Sequence, residues 1–333
     1  PEANDFPWKV GGSGAQSQLL RTPFLYDDTV LHESPAGRLP LSLVSPGFGR
    51  AHVRSAWDDL EAAYLAVECG IYGSHGRRNQ GHFFYAARGQ HWIDDVGGNG
   101  QDFNLLRVDG TDQVSAGGHD QLATTRAWLE GRGAVHVSYD TAGAYETDLD
   151  RITRDFLFVQ EEEGAGPYLV VLDAVSDDGG HDYRWLLHGF EDLSWSEVTA
   201  SHRRLAAGER SLEVISAAPE GASLGVDGGR RELRIDSSGS SATFVTLLYA
   251  TDELHALPSV SPLSAGAARG VSVAGDTVLY DPDRSAALAH DGAEADGELL
   301  LVRGAAGARR RALVTQATTL SVDGAAWLAA TAP

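Results

Sequence analysis

The chain is 333 residues long and 42% hydrophobic, enough to bury two ordinary cores or one large β core. Its formal net charge of −21 at pH 7 excludes a broad nucleic-acid or anionic-membrane surface, because such binding depends on Lys and Arg displacing counterions. No stretch reaches the roughly 18 apolar residues of a membrane helix, and the opening PEANDFPWKV lacks the basic start and apolar middle of a signal peptide.

Residues 1–45 read as an irregular lead-in: Gly11-Gly12-Ser13-Gly14 is flexible, and Pro23, Pro35 and Pro40 favour extended segments over a helix. Methionine is absent, position 1 included, which predicts a fragment or a processed subunit. From Leu41 onward the pattern is β. An apolar run at 62–67 leads into a polar turn at 73–81, then strands at 82–88, 91–96 and 104–108 follow with polar connections between them. Successive pairing would gather His75, His82, His91, Asp94, Asp95 and Arg107 in one region of a sheet. Within 82–88, His82, Phe84 and Ala86 share one face and Phe83, Tyr85 and Ala87 the other. The single cysteine, Cys69, excludes an intrachain disulfide and reads as a buried, inert thiol.

Residues 120–130 form the one helix-like stretch, a connection rather than a domain. Beyond it, short strands recur at 134–139, 156–160, 168–175, 183–190, 211–217, 232–235, 242–249, 270–273, 277–280, 299–303 and 312–315. The acidic clusters at 161–163 and 177–180 fall where strands should turn, and Arg309-Arg310-Arg311 adjoins a predicted strand. Together these features predict an all-β protein, a large multi-sheet antiparallel β-sandwich.

The stretch 54–113 resembles the start of the sandwich domain in the heparinase II/III-like polysaccharide lyases. Their R-S-x-W is met by Arg54-Ser55-Ala56-Trp57, and their H-G-H-x-D-x-N-x-F by His75-Gly76-Arg77-Arg78-Asn79-Gln80-Gly81-His82-Phe83. Their D-x-G corresponds to Asp95-Val96-Gly97, their H-N to Phe103-Asn104 and their V-D-G-x-x-Q to Val108-Asp109-Gly110-Thr111-Asp112-Gln113. Two positions depart: Arg77 and Phe103 stand where the family places metal-binding histidines.

The resemblance implies a β-sandwich at 46–333, with 1–45 as the remnant after an α/α toroid on a missing N-terminal domain or second chain. It implies cleavage of a uronic-acid-containing polysaccharide by β-elimination, with His75 as the catalytic group lining the cleft. An acidic chain must place positive charge locally to hold an acidic polymer. Arg77, Arg78, Asn79, His82, Arg107 and Gln113 are the candidate substrate contacts.

In the family, zinc is held by two His and one Asp. Only Asp95 is retained here, so no cofactor is expected, and Arg77 is expected to replace the metal by pairing with Asp95. Location outside the cytoplasm, extracellular or periplasmic, follows from the resemblance alone.

Other readings stay open. A metal site of His82, His91 and Asp94 is disfavoured because residues three apart on a strand have opposite parity. Tyr85 reads as a core aromatic before a general base. The face of His181, Tyr183, Trp185 and Leu187 suits inter-sheet packing before sugar stacking. The alternative function is a non-catalytic sandwich that binds carbohydrate or packs on a partner.

Overall fold

The computed structural model describes residues 34–70, 78–95, 103–114, 123–131, 133–147, 149–160, 166–191, 193–229, 231–304 and 311–329. Its organisation follows from side-chain alternation. In β10 (Tyr168–His188), Leu169, Val171 and Val175 enter one core cluster while Tyr168, Val170, Leu172 and Ala174 enter a second. Successive side chains on a strand point to opposite faces, so an unbroken apolar run here means a sheet covered on both sides.

That sheet has ten strands. Its path runs β11 (Ser194–Thr199), β12 (His202–Ala207), β13 (Arg210–Ala218), β15 (Glu232–Thr251), β10, β9 (Arg151–Val159), β8 (Ala134–Asp140) and β7 (Thr124–Gly131). Two short strands complete it: β14 (Leu224–Asp227) on β15 and β6 (Leu106–Val108) on β10.

One face carries a five-stranded sheet of β1 (Ser42–Ser45), β2 (Arg50–Arg54), β3 (Tyr64–Glu68), β4 (His82–Ala87) and β5 (Gln90–Ile93) in sequence order. Its Val53, Leu65, Phe83 and Tyr85 share the first core with Phe156, Trp185 and Phe244. The other face carries β16 (Val260–Ala265), β17 (Ala268–Val273), β18 (Asp276–Tyr280), β21 (Leu299–Arg303) and β22 (Arg311–Thr315). A third core beyond them joins β19 (Leu288–His290), β20 (Ala293–Ala295), β23 (Thr319–Val322) and β24 (Ala325–Ala329). The result is a stack of four antiparallel layers, and the described residues contain no α-helix.

Several expectations are corrected. The helix-like stretch is the strand β7 where it is described, paired Thr125↔Tyr139 and Trp128↔Val137, with the β-branched Thr124 and Thr125 at its start. The runs at 168–175 and 183–190 are one strand, β10, and those at 232–235 and 242–249 are one strand, β15. The Asp177-Asp178-Gly179-Gly180 cluster is therefore a bulge and not a reversal, with the ladder shifting between Ser176 and His181. β6 pairs with β10, Arg107 opposite Arg184, so Arg107 lies in the ten-stranded sheet and not beside β5. The end of the expected lead-in is strand β1, Ser42 opposite Val53.

Cys69 is free and buried, and burial pushes its thiol pKa up, in keeping with an inert role. Tyr183, Trp185 and Leu187 are all interior, the packing face expected of that strand.

The β10 bulge is stitched to the turn after β6. His181 Nδ1 lies 2.7 Å from Asp109 and Nε2 lies 2.8 Å from Asp177. Asp109 first and Asp177 second pull the imidazole pKa above 6.5. Asp109 is drawn below 3.8 by the Asp182 amide and then His181, and Asp177 by His181 first. The raised histidine contributes stability below pH 6.5 that is lost as pH rises through its folded value. The depressed carboxylates contribute stability above pH 3.8 that is lost as pH falls through theirs. Solvent screening keeps both effects small. A proton NMR titration should place the His181 midpoint above 6.5; a midpoint at or below that value contradicts the two-carboxylate clamp.

Candidate functional site

The β3–β4 connection is held at both ends by amide side chains acting as backbone. Gly70 donates to Gln80 Oε1 at 2.6 Å while Gln80 Nε2 donates to the Gly70 carbonyl at 3.1 Å. The Gln80 backbone is gripped in turn: its amide donates to Gln113 Oε1 at 2.8 Å and its carbonyl accepts from Gln113 Nε2 at 2.8 Å. Gln113 also reaches the Tyr145 hydroxyl at 3.2 Å, which donates to the Leu106 carbonyl at 2.6 Å. Gly70 has φ +122°, and a Cβ there would stand 2.8 Å from the Phe48 carbonyl oxygen, so only glycine fits. His75 and Arg77 lie outside the described residues, as does the expected Arg77–Asp95 pair.

Beside this clamp, two of the expected substrate contacts converge on one carboxylate. Arg107 Nε is 2.9 Å from Asp112 Oδ1, a contact of charges whose N–H is off line, and Arg78 Nη1 is 4.0 Å from Asp112 Oδ2. Arg78 is exposed and Arg107 half-buried. Asn79, His82 and Gln113 are closed off from solvent, at 0%, 0% and 2% exposure. Asn79 donates to Glu68 at 2.9 Å, and His82 Nδ1 accepts the Asn104 amide at 3.1 Å, which places the ring proton on Nε2. In this structure those three side chains serve the framework.

A buried polar hub joins this end of the five-stranded sheet to the ten-stranded one. Asn104 donates to the carbonyls of Phe83 at 2.8 Å and Asp94 at 3.1 Å, and its Oδ1 accepts the His188 amide at 2.7 Å. Arg154 on β9 donates to the Gly81 carbonyl at 3.0 Å and to the Asn104 carbonyl. It also grips Asp173 through Nε at 2.6 Å and Nη2 at 3.2 Å, while Trp185 Nε1 adds a bond to Asp173 at 2.8 Å. Burial pushes the Asp173 carboxyl up and Arg154 pulls it back.

Of the positions where the resemblance places zinc ligands, those of Phe103 and Asp95 are described. Phe103 is fully buried, 5.1 Å from the His82 ring, and offers no donor atom. Asp95 is half-buried, and among the described residues no three His, Cys, Asp or Glu side chains group as metal ligands. The parity argument against His91 and Asp94 is corrected, since a register shift opposite Tyr85 and Ala86 lets His91 Nδ1 come within 3.9 Å of Asp94 Oδ2. Burial lowers the pKa of His91 and raises that of Asp94. Tyr85 is sealed in the core with its hydroxyl pKa pushed up by burial, opposite to what a general base needs.

One group of residues was not among the expected site residues, although Arg54 and Trp57 belong to the R-S-x-W match. The outer face of β2 carries Arg50, His52 and Arg54, while Ala51 and Val53 turn inward at 0% and 1% exposure. The signal was the period-two alternation in RAHVR. His52 Nδ1 lies 2.7 Å from the Tyr64 hydroxyl on the neighbouring strand. The Arg54 guanidinium sits 3.9 Å from the Trp57 ring centre and 5.1 Å from that of Tyr64. Burial first, then Arg50, lowers the His52 pKa, and burial raises that of Tyr64.

The sequence matches no family model and no curated protein. The fold is similar to solved structures. A mutant of the heparan sulfate lyase HepC from Pedobacter heparinus aligns with TM-score 0.60 and 16% identity, covering 80% of this chain and 47% of that one. The BT4657 gene product, a heparinase III, aligns with TM-score 0.57 and 15% identity over 79% of this chain and 45% of that one. Another heparinase III gives 0.55 and 13% identity over 72% and 42%. The likeness is one of fold, and the chain spans less than half the length of each of these structures.

Replacing Arg154 with Met should strand Asp173 without its counter-ion. Removing one partner of a buried pair costs about 3–5 kcal/mol, so urea unfolding should show a midpoint lowered accordingly. An unchanged midpoint would mean that the hub does not hold the layers together.

Proposed function

We propose that this chain is the β-sandwich part of a polysaccharide lyase that cleaves a uronic-acid-containing polysaccharide by β-elimination. The observation that carries the reading is the match in fold to heparan sulfate lyases over most of this chain. The sequence motif that implied the same class falls on the clamped connection beside Arg78 and Arg107. The helical toroid comes from a preceding domain or a second chain, and the whole acts outside the cytoplasm, extracellular or periplasmic.

β-Elimination needs the uronate carboxylate neutralised before the C5 proton becomes acidic, then a base for that proton and an acid for the leaving oxygen. Arg78 and Arg107 supply local positive charge on an otherwise acidic protein. His75 is the group assigned as base or charged donor, since histidine is the side chain that can take either role near neutral pH.

A second reading, a non-catalytic carbohydrate-binding or partner-packing sandwich, is favoured by one observation. Phe103 fills a position where the resemblance expects a ligand, and Asn79, His82 and Gln113 are enclosed. The two readings separate on the full-length gene product mixed with alginate, heparin and related uronate polymers. The lyase should generate the ultraviolet absorbance of an unsaturated product, and His75→Ala should reduce that rate by about 100-fold or more, the usual share of a general acid or base. Absence of absorbance with every polymer leaves the binding module; full turnover in the His75→Ala variant removes that residue from the chemistry.

A further inference from the structure

Among the described residues, the five-stranded sheet meets the apolar core through one face, and on the opposite face the side chains of β2 and β3 stay half-buried or exposed. Arg54 is half-buried and its guanidinium lies between the rings of Trp57 and Tyr64. None of the guanidinium N–H donors has a protein acceptor among the described residues, and no described carboxylate pairs with it. A chain with 47 acidic and 26 basic residues offers many possible partners, so a half-buried cation left without one stands out. Cation–π contact holds the guanidinium flat while its edge donors stay unspent.

The neighbouring groups complete a recognisable set. The edge of Trp57 is anchored, with Nε1 donating to the carbonyls of Leu39 at 3.2 Å and Pro40 at 3.3 Å, so the ring is fixed in place. His52 and Tyr64 are bonded at 2.7 Å on the adjoining row. His52 is biased toward its neutral form and Tyr64 toward its protonated form, which makes them hydrogen-bonding groups and poor candidates for taking a proton.

The geometry points to an anionic-sugar subsite on this outer face, in which Arg54 binds the carboxylate or sulfate, Trp57 stacks on the ring, and His52 and Tyr64 bond the hydroxyls. A fixed aromatic plane beside a planar fork of donors is suited to a sugar unit carrying one charge. A polyanion that needs a broad basic surface is disfavoured by the net charge of −21. The inference rests on reading the chain as carbohydrate-active and is independent of cleavage.

Titration calorimetry on the full-length protein tests it, on a His75→Ala background so that turnover does not consume the ligand. The probes are an unsulfated uronate oligosaccharide, a sulfated one and a neutral one of equal length. Arg54→Gln should weaken binding of the charged probes about ten- to 100-fold, the worth of a charge-assisted hydrogen bond, and leave the neutral probe unchanged. Which charged probe loses more identifies carboxylate or sulfate as the ligand group.

Trp57→Phe, which keeps a stacking ring and loses the anchoring N–H, should retain binding better than Trp57→Ala. Arg54→Lys keeps the charge without the planar fork and should fall between wild type and Arg54→Gln; it serves as the folded control if Arg54→Gln unfolds. Equal affinity for the charged probes in wild type, Arg54→Lys and folded Arg54→Gln overturns the subsite. So does failure of both charged probes to bind at millimolar concentration. Either result can coexist with positive ultraviolet turnover, so failure here and failure of the lyase reading are told apart.

Discussion

The Arg154–Asp173 pair sets the geometry of everything near the candidate site. Taking both charges out of water costs several kcal/mol per ion, and that cost is offset only by close geometry and full hydrogen bonding. Both conditions hold: the grip is two-point at 2.6 and 3.2 Å, and Trp185 supplies a further donor to the carboxylate. The remaining guanidinium donors go to the carbonyls of Gly81 and Asn104, which belong to segments flanking the five-stranded sheet. β9 of the central layer thereby fixes where the β3–β4 connection ends. A slip of either layer would leave an uncompensated charge in the core, so the stacking register is fixed electrostatically as well as by packing.

The same layering decides where chemistry can sit. The central strands β8, β9, β10, β13 and β15 of the ten-stranded sheet, and β17, β18 and β21 of its neighbour, carry side chains that alternate between two apolar cores. Such strands have no free face for polar function. The five-stranded sheet meets the first core through one face, and among the described residues its other row holds Arg50, His52, Arg54, Tyr64, Phe84 and His91, half-buried or exposed. Polar side chains are free to meet a ligand on that face and at the clamped connection at its end.

The layers were legible in the sequence and the long-range partners were not. The apolar run at 62–67 and the strands at 82–88 and 91–96 located β3, β4 and β5 within a few residues, while β2 was not singled out. Asp177-Asp178-Gly179-Gly180 is locally indistinguishable from a reversal; only the partner strand β15, running past it, makes it a bulge. β6 could not be assigned to β10 because the pairing Arg107↔Arg184 spans a long sequence separation that no local pattern encodes. Residues 124–130 misled because Ala127, Leu129 and Glu130 are good helix formers, and pairing with β8 overrode that preference. Gln80, Asn104 and Gln113 look like surface amides in a sequence, and their burial as staples for backbone groups emerges only from the fold. RAHVR, by contrast, was readable: three titratable residues at period two across two small apolar ones.

Arginine therefore appears in two physical roles that the surroundings tell apart. Arg154 is sealed, and all three nitrogens of its guanidinium donate to protein acceptors. Arg54 is held by ring faces, which fix its plane without using its donors. A guanidinium serving only structure gains most by bonding a carboxylate or carbonyl, since a half-buried donor left to water forgoes that energy. Holding it by aromatic faces keeps it oriented at little cost to its hydrogen-bonding capacity. That arrangement favours an incoming anion over an internal one, and on a strongly acidic protein it supplies the local positive field an acidic sugar needs to approach.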